Sequence, residues 1–364
     1  MQVQGKPYRS LWLAANGRDV ECIDQTRLPH NFVVAEISTA EDAMEAIRDM
    51  WVRGAPLIGA MAAYGVCLGL HESCTEEHLH QICEKLIACR PTAVNLQWAV
   101  DRMQRKLLSV ETSQWLEVGY KEAANICDED VEANESLGSH GAAVIQEIWE
   151  KKGKSEPVHI LTHCNAGWLA TVDWGTALAP VYKAQQLGIP VHVWVDETRP
   201  RNQGAHLTAW ELCMAGIDHH LIVDNVGGHL MQHGKVDMCI VGTDRTAANG
   251  DVCNKIGTYL KALAAKDNNI PFYVALPGST IDWQMQEGLS IPIEIRDEEE
   301  VLFVQGQFCD GRVDTICIAP EGTPAANYAF DVTPARLVTG LITERGICSA
   351  SKEGLLGLYP EHLE

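Results

Sequence analysis

Five short apolar segments in the second half of the chain constrain the fold more than any other feature. They are VHILTH, VHVWVDE, HHLIVD, VDMCIVGTD and PFYVALP, and each precedes a segment of helical character and a break of small residues. Strands that are apolar on both faces and alternate with helices are typical of a parallel sheet with right-handed crossovers. The pattern predicts a doubly wound α/β domain of Rossmann type.

The first half of the chain follows a different pattern. A short start that contains YRSLWL and DVECIDQ has β character, and the remainder is mainly helical. Apolar residues recur at helical spacing in EDAMEAIRDMWV as far as Trp51, which predicts a helix. Pro56 is suited to the first position of the next helix. Thr92 is the predicted N-cap of a later helix. Since 364 residues exceed most single cores, we expect an α/β protein with a mainly helical N-terminal domain (1–152) and a Rossmann-like C-terminal domain (153–364), joined near KKGKSEP.

Composition narrows the classes of function. Lys and Arg number 28 and Asp and Glu 49, so the formal charge is 28 − 49 = −21. A field of this sign repels polyanions, and nucleic acid is not expected as a partner. No apolar run approaches the roughly 20 residues that span a bilayer, and the polar N-terminus lacks the apolar core of a signal peptide. We therefore expect a cytoplasmic protein without membrane contact.

The cysteines and the glycine-rich segments argue against two kinds of bound group. Thirteen cysteines are scattered without CxxC spacing or nearby histidine pairs, which in a chain without export signals indicates reduced thiols. No metal site is predicted. Neither GxxxxGK[ST] nor GxGxxG occurs, so no nucleotide cofactor is expected.

Polar residues follow every one of the five predicted strands. In chain order they are Cys164-Asn165-Ala166-Gly167, residues 196–203, Asp224-Asn225, Asp244-Arg245 and Pro277-Gly278-Ser279-Thr280. Open parallel sheets bind their ligands beyond the carboxyl ends of the strands. This edge of the sheet is the predicted active site.

Several cationic residues are placed where a small anion would bind. Arg53-Gly54 precedes a predicted helix start, where free amides and the helix dipole favour negative charge. Arg90, held extended by Pro91, precedes another, and Asn254-Lys255 is interpreted as opening a third. If the fold brings them together, they form a site of the size of a phosphate.

Each of these residues also has an ordinary interpretation when taken alone. A cysteine such as Cys164 is most often a core thiol, and Asp244 at a strand end could cap the next helix. The other polar residues would usually be ion-paired, solvated or structural: Arg53, Arg90, Gln203, His163 and the pair His219-His220. Only the coincidence of several such groups at one sheet edge favours a functional interpretation.

Six longer segments, VRGAPLIGAMAAYGV, RPTAVNLQWAVDRM, LTHCNAG, VDETRPRNQGAHLTAWEL, VGTDRTAANGDVCNKIGTY and FDVTPARLVTGLITERG, carry a family resemblance. They resemble the methylthioribose-1-phosphate isomerases, which share a superfamily with the alpha, beta and delta regulatory subunits of eukaryotic translation initiation factor 2B. The resemblance implies a homodimer of the two-domain fold described above. It also implies conversion of 5-methylthioribose 1-phosphate to 5-methylthioribulose 1-phosphate in methionine salvage, without a metal or cofactor.

The same resemblance implies roles for individual residues. Cys164 matches the family's catalytic cysteine, and Asp244 matches its proton donor. The substrate-binding positions are matched, without alteration, by Arg53, Gly54, Ala55, Arg90, Gln203, Asn254 and Lys255. A complete chemical set favours an enzyme over a non-catalytic regulatory protein, which is the alternative from a different class.

The chain also departs from the family pattern at Trp168, Asn202, His206, Leu276, Ile295 and Tyr328. Trp168 and Leu276 are expected to enlarge side chains beside the pocket, which leaves the group accepted at C5 of the sugar open. Methylthio is the first choice, and 5-deoxyribose 1-phosphate and ribose 1,5-bisphosphate are the rivals. The bisphosphate would need a further cationic site, which these two apolar side chains do not offer.

The chemistry gives a reason for an acid and a thiol. Because the anomeric oxygen is esterified, the ring opens only if an acid protonates the ring oxygen. An ordinary aspartic acid has a pKa of about 3.9, so Asp244 needs a raised pKa, which desolvation at an apolar strand end supplies. Hydrogen then moves from C2 to C1 through a phosphoenolate, with the Cys164 thiolate as base, or as hydride, with Cys164 shaping the site. The sequence leaves both routes open.

Overall fold

The computed structural model describes residues 1–90 and 93–363. The predictions made for Pro91 and Thr92 lie outside these residues. None of the helices in the described part of the chain is both long and apolar enough to cross a membrane.

The N-terminal half consists of short strands followed by helices. The strands are β1 (Gln2–Val3), β2 (Lys6–Pro7), β3 (Leu11–Leu13), β4 (Val20–Ile23) and β5 (Val34–Ile37), and the helices are α1 (Ala40–Arg48), α2 (Ala55–Leu70), α3 (Glu76–Cys89), α4 (Val94–Leu108) and α5 (Trp115–Lys151). Strands β3, β4 and β5 form an antiparallel sheet. Helix α2 is apolar all round and almost wholly buried, because α1, α4 and α5 pack around it.

Helix α1 ends before the apolar periodicity of its sequence does. Thr39 and Asp42 close its N-terminus with a capping box, and the helix ends at Arg48. Met50 has a left-handed φ of 63°, so Met50 and Trp51 lie beyond the helix although their spacing continues its pattern. Met50 is nevertheless buried.

The C-terminal half alternates strands and helices from β6 onward. The elements are β6 (Val158–Thr162), α6 (Ala179–Gln186), β7 (Val191–Asp196), α7 (Ala209–Ala215), β8 (His219–Ile222), α8 (Val226–Gln232), β9 (Met238–Val241), β10 (Arg245–Ala247), β11 (Val252–Lys255), α9 (Thr258–Asp267), β12 (Phe272–Ala275), β13 (Ile281–Asp282), α10 (Glu299–Leu302), β14 (Phe303–Gln307), β15 (Val313–Cys317), β16 (Phe330–Thr333), β17 (Gly340–Thr343), β18 (Gly346–Cys348) and α11 (Lys352–Leu358).

Within the described residues the main sheet has the strand order β18-β17-β12-β9-β6-β7-β8. Its neighbours are parallel except for β17 and β18. All five predicted strands belong to it, which confirms the α/β prediction. Successive residues serve opposite faces: Ile160 packs in the cluster that includes α5 and α6, and Leu161 in the cluster that includes α8 and α9. The sheet is therefore covered on both faces.

Among the described residues of the C-terminal half, three groups of strands were not predicted. Strands β17 and β18 extend the main sheet, β13-β10-β11-β16 form a second sheet, and β14 and β15 form a hairpin. The prediction that Asn254-Lys255 opens a helix is wrong, because these residues end β11, which is paired on both sides. Helix α9 begins only at Thr258, after Gly257 with a φ of 101°.

Candidate active site

The topology explains why the predicted residues meet. The chain leaves β6 toward β7 on one side and later returns to add β9 on the other side of β6. The crevice at the carboxyl ends of two such strands is the usual ligand site of an open α/β sheet. Cys164 follows β6 and Asp244 follows β9, and both line one pocket there.

All nine residues that the sequence singled out line this pocket: Arg53, Gly54, Ala55, Arg90, Cys164, Gln203, Asp244, Asn254 and Lys255. Sequence reasoning did not select His163, Thr176, Thr243 or Phe330, which line it as well. The fold thus places the thiol, the carboxyl group and the cationic residues around one space.

Cys164 is held in an unusual backbone conformation. Its φ of 62° lies in the left-handed region, which is unfavourable for a residue with a Cβ. Its N–H donates to Thr198 Oγ1 at 2.8 Å, and its C=O accepts from the Thr208 hydroxyl at 2.7 Å. The thiol donates to Gln203 Oε1 at 2.9 Å. Burial raises the pKa of the thiol, and the cations Arg53 and Lys255 oppose the rise.

Asp244 is fixed through its backbone, whose N–H donates to the carbonyl of Cys253 in β11 at 3.0 Å. Burial raises the pKa of its carboxyl group, while Lys255, Arg53 and Arg90 pull the pKa down. The net rise retains the acid form to a higher pH than in an ordinary aspartate.

A buried network orients Arg53. Its guanidinium donates to the side-chain oxygen of Asn165 and, at 2.9 Å, to the backbone oxygen of the same residue. The Asn165 amide donates in turn to Glu211 at 2.9 Å. Glu211 also accepts from Tyr182 Oη at 2.7 Å, and burial raises the pKa of this carboxyl group. Sequence reasoning missed Glu211, because its partners are distant in the chain.

The turn into α2 needs a glycine. Gly54 has a φ of 93°, and a Cβ there would lie 2.3 Å from the carbonyl oxygen of Ala170. Gly54 is the N-cap of α2 and makes no side-chain capping bond, and Pro56 occupies the first turn. The helix therefore begins at the pocket with backbone N–H groups that an anion can use.

Two further cations complete the pocket. Arg90 donates to Glu294 at 3.2 Å. It therefore lines the pocket and is also the ion-pair partner that its ordinary interpretation predicted. Lys255 is buried, with its Nζ 4.8 Å from the ring centroid of Phe330, and burial lowers the pKa of this amine. Asn254 donates to Thr258 Oγ1 at 3.0 Å, which fixes the turn beside Lys255.

The expectation that Trp168 and Leu276 narrow the pocket is wrong. Both are fully buried, in two different hydrophobic clusters, and neither is among the described residues that line the pocket. Trp168 packs instead on Trp210, at 6.2 Å between ring centroids. Large side chains were accommodated in the core rather than at the site.

Two other departures, Asn202 and His206, line a second cavity of about 530 Å³. This cavity shares Met50, Arg53 and Gln203 with the first pocket, so the two are adjacent. Burial lowers the pKa of His206 to about 4, with His30 and Arg201 adding to the effect. His206 is therefore neutral at pH 7.

Other polar residues at the sheet edge serve the scaffold. Asp224 accepts from the backbone N–H groups of Thr198 and Arg199 at 2.7 and 2.9 Å. His219 and His220 lie on β8, the outermost strand, and are partly or fully exposed. Asp224 therefore stabilises a loop, and the two histidines lie on an edge strand; none of the three lines the pocket.

Among the described residues, two groups of side chains have the composition of a metal site. His163, Asp196 and Asp224 form one, and His192, Asp218 and His220 form the other. In the first, Asp196 already pairs with Lys261 at 2.7 Å and with His163 at 2.8 Å. That group is an internal ion-pair cluster.

The fold and the pocket define a doubly wound α/β protein with cations gathered at the switch point of its sheet. Residues 51–350 match the family model described as the initiation factor 2 subunit family. The methylthioribose-1-phosphate isomerase of Paramagnetospirillum magneticum (strain ATCC 700264 / AMB-1) is 61% identical over 99% of each chain. The chain therefore belongs to the initiation factor 2 subunit family and, within it, to the methylthioribose-1-phosphate isomerases.

Solved structures agree with this assignment. The 5-methylthioribose 1-phosphate isomerase of Pyrococcus horikoshii OT3 has a TM-score of 0.83 at 41% identity, over 98% of this chain and 97% of that one. A structure described as translation initiation factor eIF-2B, subunit delta, from A. fulgidus has a TM-score of 0.79 at 40% identity, over 97% and 100% of the two chains. The family resemblance predicted from the motifs is confirmed.

Proposed function

We propose that the protein is an aldose–ketose isomerase that converts 5-methylthioribose 1-phosphate to 5-methylthioribulose 1-phosphate in methionine salvage. One observation carries the proposal: a thiol, a carboxyl group with a raised pKa and three cationic side chains line a single pocket. The 61% identity to a methylthioribose-1-phosphate isomerase over nearly the whole chain supports the choice of substrate.

The 1-phosphate binds among Arg53, Arg90 and Lys255, beside the N-terminus of α2. All three side chains are largely withdrawn from water, so their attraction to a phosphate is screened less than at the surface. The backbone N–H groups after Gly54 add donors that carry no counter-charge. When the phosphate binds, Arg90 either breaks its ion pair with Glu294 or contacts the phosphate and Glu294 together.

Asp244 opens the furanose ring. Its carboxylic acid donates a proton to the ring oxygen, the bond from that oxygen to C1 breaks, and C1 is left electron-deficient. The desolvation that raises the pKa of Asp244 keeps the proton available at a higher pH than in an ordinary aspartic acid. Asn254, Lys255 and Gln203 hold the substrate in place for this step.

Hydrogen then moves within the substrate. The Cys164 thiol donates to Gln203, and burial raises its pKa, so it is a poor candidate for a thiolate base. We therefore favour the hydride route: hydrogen leaves C2 with its electron pair, bonds to C1, and leaves a protonated carbonyl at C2. The hydroxyl proton at O2 returns to the Asp244 carboxylate, so the acid is regenerated and no external oxidant is needed.

The C5 substituent extends toward the second cavity. Apolar side chains, including Leu28, Met50 and Phe303, line it together with the neutral His206. Arg201 also lines this cavity but pairs with Glu300 at 2.9 Å. An apolar methylthio group suits these surroundings better than a second phosphate does.

The test is a panel of 5-methylthioribose 1-phosphate, 5-deoxyribose 1-phosphate and ribose 1,5-bisphosphate, with ketose formation followed by NMR. We expect the first to give the largest kcat/KM. Preference for the 5-deoxy sugar or the bisphosphate would contradict the C5 assignment alone. Turnover of none of them would overturn the enzyme assignment and favour a regulatory protein.

We also propose that the chain acts in the cytoplasm as a homodimer, with domains at 1–152 and 153–364. The end of α5 at Lys151 and the start of β6 at Val158 support the domain boundary. All thirteen cysteines lie in the described part of the chain and are free thiols, which suits a reducing compartment. Light scattering coupled to size exclusion tests the dimer, and limited proteolysis between residues 151 and 158 tests the boundary.

A further inference from the structure

His163, the residue before Cys164, is enclosed by acceptors. Its ring is 1% exposed. Nδ1 lies 2.8 and 2.9 Å from the two carboxylate oxygens of Asp196, and Nε2 lies 2.8 Å from the backbone carbonyl oxygen of Ile256. A carbonyl oxygen only accepts hydrogen bonds, so Nε2 must carry a hydrogen.

The other ring nitrogen carries one as well. Asp196 accepts from Lys261 Nζ at 2.7 Å and from the Thr198 hydroxyl at 2.6 Å. Each oxygen of Asp196 therefore already accepts a hydrogen, Oδ1 from Thr198 and Oδ2 from Lys261, as expected for a carboxylate. A carboxylate has no hydrogen to donate, so Nδ1 donates too and the ring is an imidazolium.

The charges around the ring are close to balance. Asp196 faces it from the end of β7 and Lys261 from α9. Asp331, in β16, and Asp224, after β8, are the other carboxylates close to it. With an imidazolium, two cations oppose three carboxylates, whereas a neutral ring would leave Lys261 alone against them. Buried charge clusters are stable only when their members are compensated.

The network joins the two sides of the pocket. His163 directly precedes Cys164, and Ile256 directly follows Lys255, so the Nε2 hydrogen bond links the loop of the thiol to the loop of the ammonium group. The carboxylate of Asp196 serves the same purpose from the other side. It accepts from Thr198, whose hydroxyl oxygen accepts the N–H of Cys164.

We propose that His163 is a positioning residue: as an imidazolium anchored on Asp196, it fixes the distance between the Cys164 thiol and the Lys255 ammonium group. The residue touches no reacting atom in this scheme. It acts through the backbone on both sides of the pocket. The proposal rests on the isomerase function proposed above, and it makes a histidine that the sequence placed among structural residues a determinant of turnover.

Three substitutions separate the two hydrogen bonds. His163→Gln can retain a donor toward Ile256, His163→Asn can retain a donor toward Asp196, and His163→Leu retains only the volume. Misplacement of reacting groups by about 1 Å costs roughly 100-fold in rate. We expect kcat to fall by about that factor in the Asn and Leu variants and by less than about tenfold in the Gln variant. KM should rise in the same order, because Lys255 also binds the phosphate.

His192→Gln is the matched control, since His192 is a buried histidine of the neighbouring strand that lies outside the pocket lining. Its kcat should equal that of the wild type. Thermal unfolding of each variant identifies general destabilisation. If all three His163 variants had the kcat of the wild type, at similar stability, the positioning role would be overturned.

A second measurement does not depend on turnover. In the ¹⁵N-histidine-labelled wild-type protein at pH 7, both ring nitrogens of His163 should show the shifts of protonated nitrogen, assigned by their loss in His163→Gln. A bare ring nitrogen would overturn the proposal. If wild-type protein isomerises no substrate yet shows the imidazolium, the isomerase proposal fails while the network stands.

Discussion

The thiol of Cys164 donates a hydrogen bond of 2.9 Å to the side-chain oxygen of Gln203, inside the pocket that Asp244 also lines. A thiol that donates is protonated, and burial raises its pKa despite Arg53 and Lys255. The resting site therefore pairs a neutral thiol with a carboxyl group that holds its proton unusually well. This pairing distinguishes the two routes by which hydrogen can move.

The route is tested with substrate that carries deuterium at C2. Because no thiolate is ready to remove a proton, we predict that the label moves to C1 of the ketose and is retained there. The product is analysed by NMR and mass spectrometry. Unlabelled substrate turned over in D₂O should gain no carbon-bound deuterium at C1. Loss of the label to solvent would support the phosphoenolate route instead.

The pH dependence should follow the acid form of Asp244. Its pKa is raised, so activity is present at low pH and is lost as the pH rises through that pKa. Lys255 lowers the pKa of Asp244. In Lys255→Met this pKa should rise, so the loss of kcat/KM at alkaline pH should move to a pH about one unit higher. A limb that moved to lower pH would contradict the assignment.

Gly54 gives a test of the anion site that does not touch a charge. In Gly54→Ala the new Cβ would meet the Ala170 carbonyl oxygen at 2.3 Å at a φ of 93°. We expect a loss of about 3 kcal/mol or more in unfolding free energy and a raised KM. Gly153→Ala is the control, because its φ is 71° and its Cβ would meet nothing within 4 Å. It should lose only about 1 kcal/mol, measured by denaturant unfolding.

The core of the sheet and part of the site were predictable from the sequence. The five apolar runs located the core of the sheet, and the rule that ligands bind at strand ends placed Cys164 and Asp244 at one edge. Apolar periodicity is a local signal, and the order of parallel strands follows from it with few alternatives. The motifs added Ala55 and gave a substrate-binding role to Gln203, which the pattern alone had left as one of several polar residues after the second strand.

What the sequence did not predict depends on partners that are far apart in the chain. Strand β17 is four residues long and resembles any short apolar stretch until it pairs with β12. His163 was placed among structural histidines because its partner Asp196 and the carbonyl of Ile256 meet it only in the folded chain. Trp168 was placed beside the pocket because it follows THCNAG closely, although its side chain turns into the core.

Asp130 in α5 predicts how stability depends on pH. Its carboxylate accepts from the Val172 N–H at 2.8 Å and the Asn134 amide at 3.0 Å, and burial raises its pKa to about 7. The folded protein then holds a proton that the unfolded chain has released, so stability falls as the pH rises between about 4 and 7.

Asp130→Asn should remove this loss. We expect unfolding free energy at pH 8 to increase by about 1–3 kcal/mol, with little change at pH 5. Asp128→Asn, at an exposed position in the same helix, is the control and should show no such pH dependence. Calorimetry at both pH values checks the pair. A variant less stable than the wild type at pH 8 would show that the carboxylate is well compensated.

We propose that one sugar 1-phosphate binds between Asp244, its proton donor, and Cys164, which shapes the pocket. The most direct measurement is the rate of ketose formation from 5-methylthioribose 1-phosphate by the wild type and by Asp244→Asn and Cys164→Ser, each with thermal unfolding matched to the wild type. We predict turnover by the wild type, a loss of at least about 1,000-fold in Asp244→Asn, which removes the proton donor, and a loss of about 100-fold in Cys164→Ser, which changes only the shape and polarity of the pocket. An Asp244→Asn enzyme within tenfold of the wild-type rate would rule out Asp244 as the proton donor.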